Sequence, residues 1–424
     1  MNMIYLNKQL ALLILALVTV TVQAQNISID ECQAKARANY PLIKQVGLIE
    51  QSTAYQLSNA NKAWLPQLSL TAKASYQSDA IKISLPAPIN LNMEQSKDQY
   101  SVALDVTQTV WDGGITKAQK GIIKAQSEAE KQKAEVDLYA IRDRVNQLFF
   151  GILLINEQLS QVKTLQHDLA TNLKKIKALE VNGMAMPTDI DVMNVEIINA
   201  QQRETDLLAT RKSFAEMLAS FTGLTITDKN SLEKPVLPEI ITDSINNRPE
   251  LKLFKSQLSM YNSQRKMINA GTMPRLGLFA QGGYGRPGLN MLYDGFSAYY
   301  LGGLRLSWNI SNLYTRKNDL SKISTNQKSV EVQKETFLFN NKLQNQQQMN
   351  EINKLKTTIL NDDKIIALRT KIKTATSSRV ENGTATVTDL VRDMNAENLA
   401  RQARSMHEIQ LYIAVYQLKN QTNN

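Results

Sequence analysis

Apolar residues recur every seven positions through the middle of the chain, which is the spacing of a coiled-coil seam. One series consists of Ile141, Leu148, Ile155, Val162, Leu169 and Ile176; its companion consists of Leu138, Val145, Ile152, Leu159 and Leu173, with Gln166 interrupting it. The helical pattern runs from Gly114 to about Val181, a length of roughly 100 Å at 1.5 Å per residue. It predicts one very long helix, flanked by shorter helical segments at about 31–64 and 187–222.

A second long helix is predicted over about 314–381, where Ile352, Ile359 and Ile366 keep the seven-residue spacing. Within it, the segment 340–348 contains almost only Asn, Gln and Lys. Such a segment is either polar low-complexity chain or a helix with a wet side that faces a lumen. We favour the helix.

Four shorter segments alternate between apolar and polar residues, as β-strands with one apolar face do. The apolar positions are Leu68, Leu70, Ala72, Ala74 and Tyr76, then Leu104, Val106 and Val110, then Leu276, Leu278, Ala280 and Tyr284, and finally Leu304, Leu306, Trp308 and Ile310. The alternation predicts two β-hairpins, at about 66–111 and 274–310. Both a half-buried sheet of a soluble protein and a sheet between lipid and water would produce it.

Aromatic residues at the two ends of these strands favour lipid as the surrounding medium. The tryptophans fall at the ends that adjoin helices, and the tyrosines cluster towards the hairpin loops. The predicted membrane-interface residues are Trp64, Trp111, Trp308, Tyr76, Tyr284, Tyr299 and Tyr300. Two aromatic girdles are typical of membrane β-barrels.

Four strands cannot close a barrel, since about eight is the practical minimum. An open edge in lipid would leave unpaired backbone groups without water. The chain must therefore share its barrel with further copies: two copies would supply about eight strands and three about twelve.

An internal repeat organises the chain. Asn39-Tyr40-Pro41 recurs as Asn247-Arg248-Pro249, and Leu65-Pro66-Gln67-Leu68 recurs as Met273-Pro274-Arg275-Leu276, both at an offset of 208 residues. Later matches have an offset of 200, so the first copy holds eight additional residues between Tyr76 and Leu104, around a predicted loop at 86–90. The predicted segments are the first repeat 25–223 with a turn at 182–189, a linker 224–246, and the second repeat 247–424 with a turn at 382–389.

Residues 1–24 have the pattern of a secretory signal peptide: Lys8, an apolar run from Leu10 to Val22, and Ala24 at the cleavage site. A signal anchor is the alternative, but the run is shorter than the ~20 residues that a spanning helix needs. No later apolar run is long enough to span a membrane as a helix. The single cysteine, Cys32, excludes an intrachain disulfide framework.

Composition and motifs argue against an enzyme or a nucleic-acid-binding protein. The 49 Lys and Arg outnumber the 39 Asp and Glu, but they are scattered among acids rather than gathered with aromatic residues in one patch. His167 and His407 have no neighbouring ligands at metal-binding spacing. Gly282-Gly283-Tyr284-Gly285 lacks the Lys-Ser/Thr of a phosphate loop. We therefore expect no catalytic residues, no metal site and no cofactor.

Taken in order, the motifs resemble the TolC-like outer-membrane efflux protein family, the outer-membrane factors. The resemblance rests on the doubled Asn-x-Pro motif, Leu65-Pro66-Gln67-Leu68, Val110-Trp111-Asp112-Gly113-Gly114, and the turn from Gly383 to Leu390. It implies a mainly α fold with a β portion, in which three protomers share a 12-stranded transmembrane β-barrel and long coiled-coil helices form a periplasmic α-helical barrel. It also implies an outer-membrane location in a Gram-negative bacterium.

The resemblance further implies that the two helix-hairpin turns dock a periplasmic adaptor, which links the channel to an inner-membrane pump. By match to the motif, the docking residues are Asn182, Gly183, Thr188, Asp189, Asn382, Gly383, Thr384, Thr388 and Asp389. The residues themselves predict helical hairpins: glycines end the incoming helices, and Pro187 or a Thr386–Asp389 capping box starts the outgoing ones. A hairpin without a docking role is the alternative.

Related channels commonly close this end with two acidic residues spaced i, i+3. Here Asp389 occupies the first position, but Arg392 occupies the second. We therefore expect a pairing of Asp389 with Arg392 in place of a purely acidic gate.

The predicted function is passive conduction of substrates to the exterior as part of a tripartite efflux or type I secretion system. A stand-alone porin would not need helices of this length. A periplasmic coiled-coil scaffold without channel activity would explain the heptads but not the alternating strands. Drugs, metals and proteins all remain open as substrates.

Overall fold

The computed structural model describes residues 26–84, 88, 92–226, 232–237 and 246–423. The predicted signal peptide lies outside these residues. The order of elements is α1 (Ile29–Asn39), α2 (Ile43–Asn61), a 3-10 turn (Lys62–Trp64), β1 (Gln67–Tyr76), β2 (Lys82–Ser84), β3 (Asn92–Glu94), β4 (Asp98–Trp111), α3 (Ile115–Val181), α4 (Pro187–Thr222), α5 (Pro249–Gly271), β5 (Arg275–Arg286), β6 (Ser297–Ser307), α6 (Asn312–Glu381) and α7 (Val387–Thr422). No helix in the described part of the chain is long and apolar enough to cross a membrane.

The predicted fold class, mainly helical with four principal strands, is confirmed. Helix α3 has 67 residues and α6 has 70, and both end where the sequence places the hairpin turns. The polar segment 340–348 is helical throughout. Asn341 is buried there, and its side-chain amide donates to the Gln421 carbonyl oxygen over 2.9 Å.

One predicted helical segment, at about 31–64, is wrong as a single element. It consists of α1, α2 and a 3-10 turn, with a break at Tyr40–Leu42. Pro41 has no backbone N–H, and its ring disfavours helical geometry at the preceding residue. Tyr40 is accordingly extended, with φ −66° and ψ 129°. In the second repeat the equivalent proline, Pro249, instead starts α5.

The described chain divides into two compact units. The first contains the residues as far as Ile43, together with Glu135–Arg248 and Phe337–Asn424; the second contains Lys44–Ala134 and Pro249–Thr336. Each unit includes parts of both repeats.

The predicted coiled-coil seam forms the core of the first unit. Most of its members are buried: Leu138, Ile141, Val145, Leu148, Ile152, Ile155, Leu159, Val162, Leu169 and Ile176. Phe150 of α3 lies 5.7 Å from Tyr412 and 5.2 Å from Tyr416, measured between ring centroids. Position 151 of α3 requires glycine, because a Cβ there would lie 2.6 Å from the ring of Phe214 on α4. The seam thus holds α3, α4 and α7 together.

An antiparallel sheet with the order β1-β4-β5-β6 occupies the second unit. Its register pairs Leu70 with Leu104, Leu104 with Gly282, and Gly282 with Tyr300. Directly paired residues point to one side of a sheet, so the predicted apolar positions that are paired in the sheet share one face. Val110 is unpaired, and Trp308 and Ile310, which were predicted as strand positions, lie beyond the end of β6. We call this the apolar face and the other side the polar face. Strands β1 and β6 are the two edges.

Two features of the sheet were not predicted. A β-bulge at Val110 shifts the register, so that Thr109 pairs with Gly277 and Trp111 with Leu276. Strands β2 and β3 form a separate two-stranded ribbon, closed by an ion pair of 2.7 Å between Lys82 and Glu94. The ribbon lies where the first repeat has its additional residues. Of the predicted loop at 86–90, only Pro88 belongs to the described residues.

Candidate functional site

The two helix-hairpin turns have nearly the same backbone geometry. Gly183 has φ 72° and Gly383 has φ 67°, a left-handed conformation that glycine adopts without steric cost. The amide N–H of Gly383 donates to the Val380 carbonyl oxygen over 3.0 Å, and that of Thr384 donates to the Arg379 carbonyl oxygen over 2.8 Å. Equivalent bonds close the first turn. These bonds satisfy carbonyls that the ends of α3 and α6 would otherwise leave unpaired.

Asn182 and Asn382 reinforce the two helix ends in the same way. The amide Nδ2 of Asn182 donates to the Ala178 carbonyl oxygen over 2.7 Å, and that of Asn382 donates to the Ser378 carbonyl oxygen over 2.8 Å. Both side chains are exposed, as are Gly183, Thr188, Gly383, Thr384 and Thr388, whereas Asp189 and Asp389 are half-buried. The predicted docking residues therefore do lie at two equivalent turns; their docking role stays a prediction.

The outgoing helices begin differently. At α7, the hydroxyl of Thr386 accepts a hydrogen bond from the Asp389 amide over 3.1 Å, and the Thr386 amide donates back to Asp389 Oδ2 over 3.3 Å. This is the predicted capping box. At α4, Asp189 accepts from the backbone amide of Met186 over 2.9 Å, with no oxygen on the Met186 side chain to reciprocate. The second turn is therefore the more extensively hydrogen-bonded.

The predicted pairing of Asp389 with Arg392 is present, with 3.0 Å between Oδ1 and Nη1. Hydrogen bonds with Thr386 are the main reason that the pKa of Asp389 is lowered; burial opposes them, and the charges of Arg392 and Arg379 add to them. Arg392 also lies 3.6 Å from Asp393, whose buried carboxylate accepts from the Thr376 hydroxyl over 2.7 Å. Asp389 is therefore held ionised at this turn. Its role in a gate stays a prediction.

A hydrophobic cluster lies beneath both turns and joins the two hairpins. Its buried members come from all four helices: Leu169, Ile176, Met193, Ala200, Val380, Val387, Leu390, Val391 and Met394. Because both hairpins contribute to one cluster, a displacement of α7 at this end would expose apolar surface from the first hairpin as well as the second.

Behind this cluster lies a charged group that the sequence did not reveal, which we call the Glu397 cluster. Glu397 on α7 is almost fully buried and lies 2.6 Å from Lys373 and 2.6 Å from Arg401. The Thr370 hydroxyl donates to Glu397 over 2.6 Å, and Lys373 also reaches Asp168 of α3 at 3.0 Å. The cluster thereby connects α3, α6 and α7.

The protonation of the Glu397 cluster follows from these contacts. Burial alone would raise the pKa of Glu397, but hydrogen bonds from Lys373, Thr370 and Arg401 outweigh it and lower the pKa to about 2. Burial would lower the pKa of Lys373, yet its bonds to Glu397 and Asp168 raise it. Glu397 and Lys373 are therefore both charged at neutral pH. The cluster borders a half-open cavity of about 600 Å³.

Most of the predicted girdle residues lie at one or the other end of the apolar face or just beyond the strands. Tyr76, Tyr284 and Tyr300 are exposed on the apolar face, and the bulge at Val110 brings Trp111 onto that face beside Leu276. Trp64 precedes β1, and Trp308 follows β6; both are exposed. The tryptophans lie at the ends next to the helices and the tyrosines at the opposite ends of the strands.

The prediction of Tyr299 as a girdle residue needs correction. It pairs with Gly283 on the polar face, opposite to its neighbour Tyr300, because successive residues of a strand point to opposite sides. A Cβ at Gly283 would lie 2.5 Å from the Tyr299 ring, so the ring is packed against the sheet over a glycine. Tyr299 therefore does not belong to a girdle on the apolar face.

Comparison with known proteins gives matches among solved structures. The sequence matches no protein-family model, and no curated protein matches it. The outer-membrane channel OprN superposes with a TM-score of 0.69 at 12% identity, covering 93% of this chain and 89% of OprN. The outer-membrane protein VceC of Vibrio cholerae superposes at 0.66 and 12% identity, with 92% and 95% covered. The open state of the Neisseria gonorrhoeae channel MtrE gives 0.66 at 13% identity, with 96% and 93% covered.

These likenesses extend over nearly the whole chain, including both repeats. At such low identity they establish the fold and not the activity. The resemblance inferred from the motifs is thereby confirmed for the fold: the chain has the fold of outer-membrane channels of the TolC type.

Proposed function

We propose that the chain is one protomer of a homotrimeric outer-membrane channel. In this proposal it conducts substrates passively from a periplasmic adaptor and an inner-membrane pump to the exterior. The observation that carries the proposal is the sheet β1-β4-β5-β6, with its exposed apolar face and two open edges.

The two edge strands need partners if the sheet lies in lipid. Within the described chain, β1 pairs only with β4, and β6 pairs only with β5. The apolar face includes Leu70, Leu304 and Leu306, each about 70% exposed. A sheet with this face in lipid needs a partner for each edge, since unpaired backbone groups there cost several kcal/mol each. Pairing β6 of one copy with β1 of the next supplies these partners, and three copies give the twelve strands of the proposed barrel.

The helix-hairpin turns are the proposed adaptor-docking surface. The two turns are equivalent, and each presents an exposed Asn-Gly pair and an exposed threonine. A helical hairpin of the adaptor would therefore meet the same kind of surface at both turns. The Asp389–Arg392 pair lies within the second turn. We propose that it helps to hold the closed state, so that Asp389→Ala should increase single-channel conductance; a conductance equal to that of the wild type would contradict this role.

The channel proposal is tested by membrane fractionation, detergent extraction and mass measurement by light scattering. We expect a particle of three protomers from the outer-membrane fraction and stepwise currents when it is added to planar bilayers. A soluble monomer in the periplasmic fraction would instead support the coiled-coil scaffold.

The docking proposal is tested by site-specific photocrosslinking. A photoreactive amino acid at Thr384 or Met184 should capture an adaptor, identified by mass spectrometry. The same amino acid at Gln56, which is exposed on α2, is the control and should capture none. Equal capture at all three positions would contradict docking at the turns.

A further inference from the structure

The polar face of the sheet carries two arginines side by side near the end of the strands that adjoins the helices. Arg275 pairs with Ser307, and Arg305 pairs with Gly277, so the two guanidinium groups come from neighbouring positions of β5 and β6. They line one cavity of about 270 Å³ together with Thr107, Thr109, Phe279 and Ser307. No residue of the helix-hairpin turns lines this cavity.

Both arginines are exposed beside this cavity. Gly277 lines the cavity and has no side chain to fill it. A Cβ at Gly303 would lie 3.1 Å from the Phe279 ring, so a glycine there leaves room for that ring. The Arg305 guanidinium lies 4.8 Å from the centroid of that ring. A cation–π contact of this kind orients the guanidinium without neutralising it. The ring of Phe279 thus holds the Arg305 guanidinium in place and leaves its positive charge intact.

Neither arginine forms an ion pair with any residue that the structure describes. Asp112 is the one acid among the described residues that line the cavity, and it keeps its negative charge. Its two oxygens accept the backbone N–H groups of Gly114 and Thr116 at 2.8 and 2.6 Å, so they are directed at the start of α3 and not at the arginines. Asp105, farther along the polar face, accepts from Gln281 over 2.7 Å.

Closure by a second copy would not neutralise the arginines either. In the proposed barrel, β6 of one protomer pairs with β1 of the next. The polar face of β1 presents Gln67, Ser69, Thr71, Lys73 and Ser75, which include no acid. Since the apolar face points to lipid in that arrangement, both arginines would face the lumen, and their charge is repeated in each of three protomers.

We infer that Arg275 and Arg305 form an anion-binding site in the lumen and make the channel prefer anions. This inference rests on the proposed function. Paired guanidinium groups match carboxylate, phosphate and sulfonate groups, to which they donate two parallel hydrogen bonds. Solutes that carry such a group are therefore the substrate class that the site favours.

The first test measures ion selectivity. The purified full-length channel is placed in planar bilayers under a KCl gradient, and the reversal potential gives the chloride-to-potassium permeability ratio. We expect a ratio above one for the wild type. In R275Q/R305Q it should fall about twofold to fivefold, because a charge ~8 Å from a permeant ion in water contributes an energy near RT. R275K/R305K keeps the charge and should keep the preference.

The matched control is R286Q. Arg286 belongs to β5 but lies on the apolar face and pairs with Asp98, so its removal should leave the ratio unchanged. A wild-type ratio below one, or equal ratios in the wild type and R275Q/R305Q, would overturn the inference. Absence of any current from the wild type would contradict the proposed channel instead.

A second measurement does not depend on conduction. Phenylglyoxal modifies accessible arginines, and mass spectrometry of the extracted protein reports the rate at each position. Inorganic phosphate should slow modification of Arg275 and Arg305 by at least about twofold relative to chloride at equal ionic strength. Arg316, exposed at the start of α6, should show no such protection. Equal rates with and without phosphate at Arg275 and Arg305 would refute the site.

Discussion

Removal of the Glu397 carboxylate should weaken the first unit far more than removal of an exposed one. Glu397 accepts from Lys373, Arg401 and Thr370, each at 2.6 Å, and its side chain is only 6% exposed. Its pKa falls from 4.5 to about 2. A difference of this size corresponds to about 3 kcal/mol of stabilisation at neutral pH. We therefore expect Glu397→Gln to lower the free energy of unfolding by about 2–3 kcal/mol, since Lys373 keeps Asp168 as a partner.

The pH dependence has a definite sign. A carboxyl group whose pKa is lower in the folded state stabilises the protein above its unfolded pKa, and this contribution is lost as the pH falls through the folded pKa. For Glu397 the contribution is complete above about pH 4.5 and disappears towards pH 2. The difference between the wild type and Glu397→Gln should therefore be full at pH 7, clearly smaller at pH 3 and negligible near pH 2.

The assay is chemical unfolding in detergent, followed by circular dichroism at one fixed protein concentration, because the stability of the proposed trimer would depend on concentration. Glu381→Gln is the control: Glu381 also lies 2.6 Å from a lysine, Lys175, but both side chains are nearly half exposed. Exposed pairs contribute less than about 1 kcal/mol. If both variants lost the same stability, or if the loss in Glu397→Gln did not change with pH, burial of the Glu397 cluster would not be the cause.

Further predictions concern the turns and the sheet. Gly383→Ala should lower the free energy of unfolding by about 1 kcal/mol, because alanine is strained in the left-handed conformation of this residue. No atom lies within 4 Å of the added Cβ, so no clash contributes. The shift of the unfolding midpoint measures this loss. Thr386→Ala should cost about 0.5–2 kcal/mol by removing a cap, whereas Met186→Ala should cost nothing comparable, since α4 is capped through the Met186 backbone. Leu70→Lys on the apolar face should sharply reduce recovery from the outer membrane, because a midplane lysine costs about 2–4 kcal/mol. Thr71→Lys on the polar face should not, and equal recovery of both would contradict the assignment of faces.

The long-range periodicities were readable from the sequence because they are repeated many times. The seven-residue spacing in α3 is repeated five times from Ile141 to Ile176, so a single exception such as Gln166 does not obscure it. The Gln166 side-chain amide donates a hydrogen bond of 2.8 Å to Glu204. The strand faces were readable for the same reason. Duplication strengthened both, since each motif could be checked against its copy.

Single-residue events in the backbone were not readable. The bulge at Val110 reverses the face of Trp111, and alternation alone would have placed Trp111 on the polar face. Pro41 breaks a helix, while its repeat partner Pro249 begins one. In both cases the outcome depends on neighbouring elements rather than on the local sequence.

The Glu397 cluster was missed because its charges come from three helices that are far apart in the sequence. On each helix alone, such charges resemble a solvated face. A signal was nevertheless present: Glu397 continues the i, i+3/i+4 series of buried positions that begins with Leu390 and Met394. A charged residue at a core position of a helix requires a buried partner, and Lys373 is that partner.

The two repeats bury their long helices to different extents, and this difference bears on assembly. Helix α3 buries its apolar seam almost completely. Helix α6 leaves Leu360, Ile365, Leu368 and Ile372 between 44% and 64% exposed, and these side chains recur at helical spacing along one half of α6. Aliphatic side chains at such positions lose roughly 25 cal/mol for each Å² that stays in water. In the proposed trimer, adjacent protomers would cover these side chains of α6 and gain the free energy of burying them.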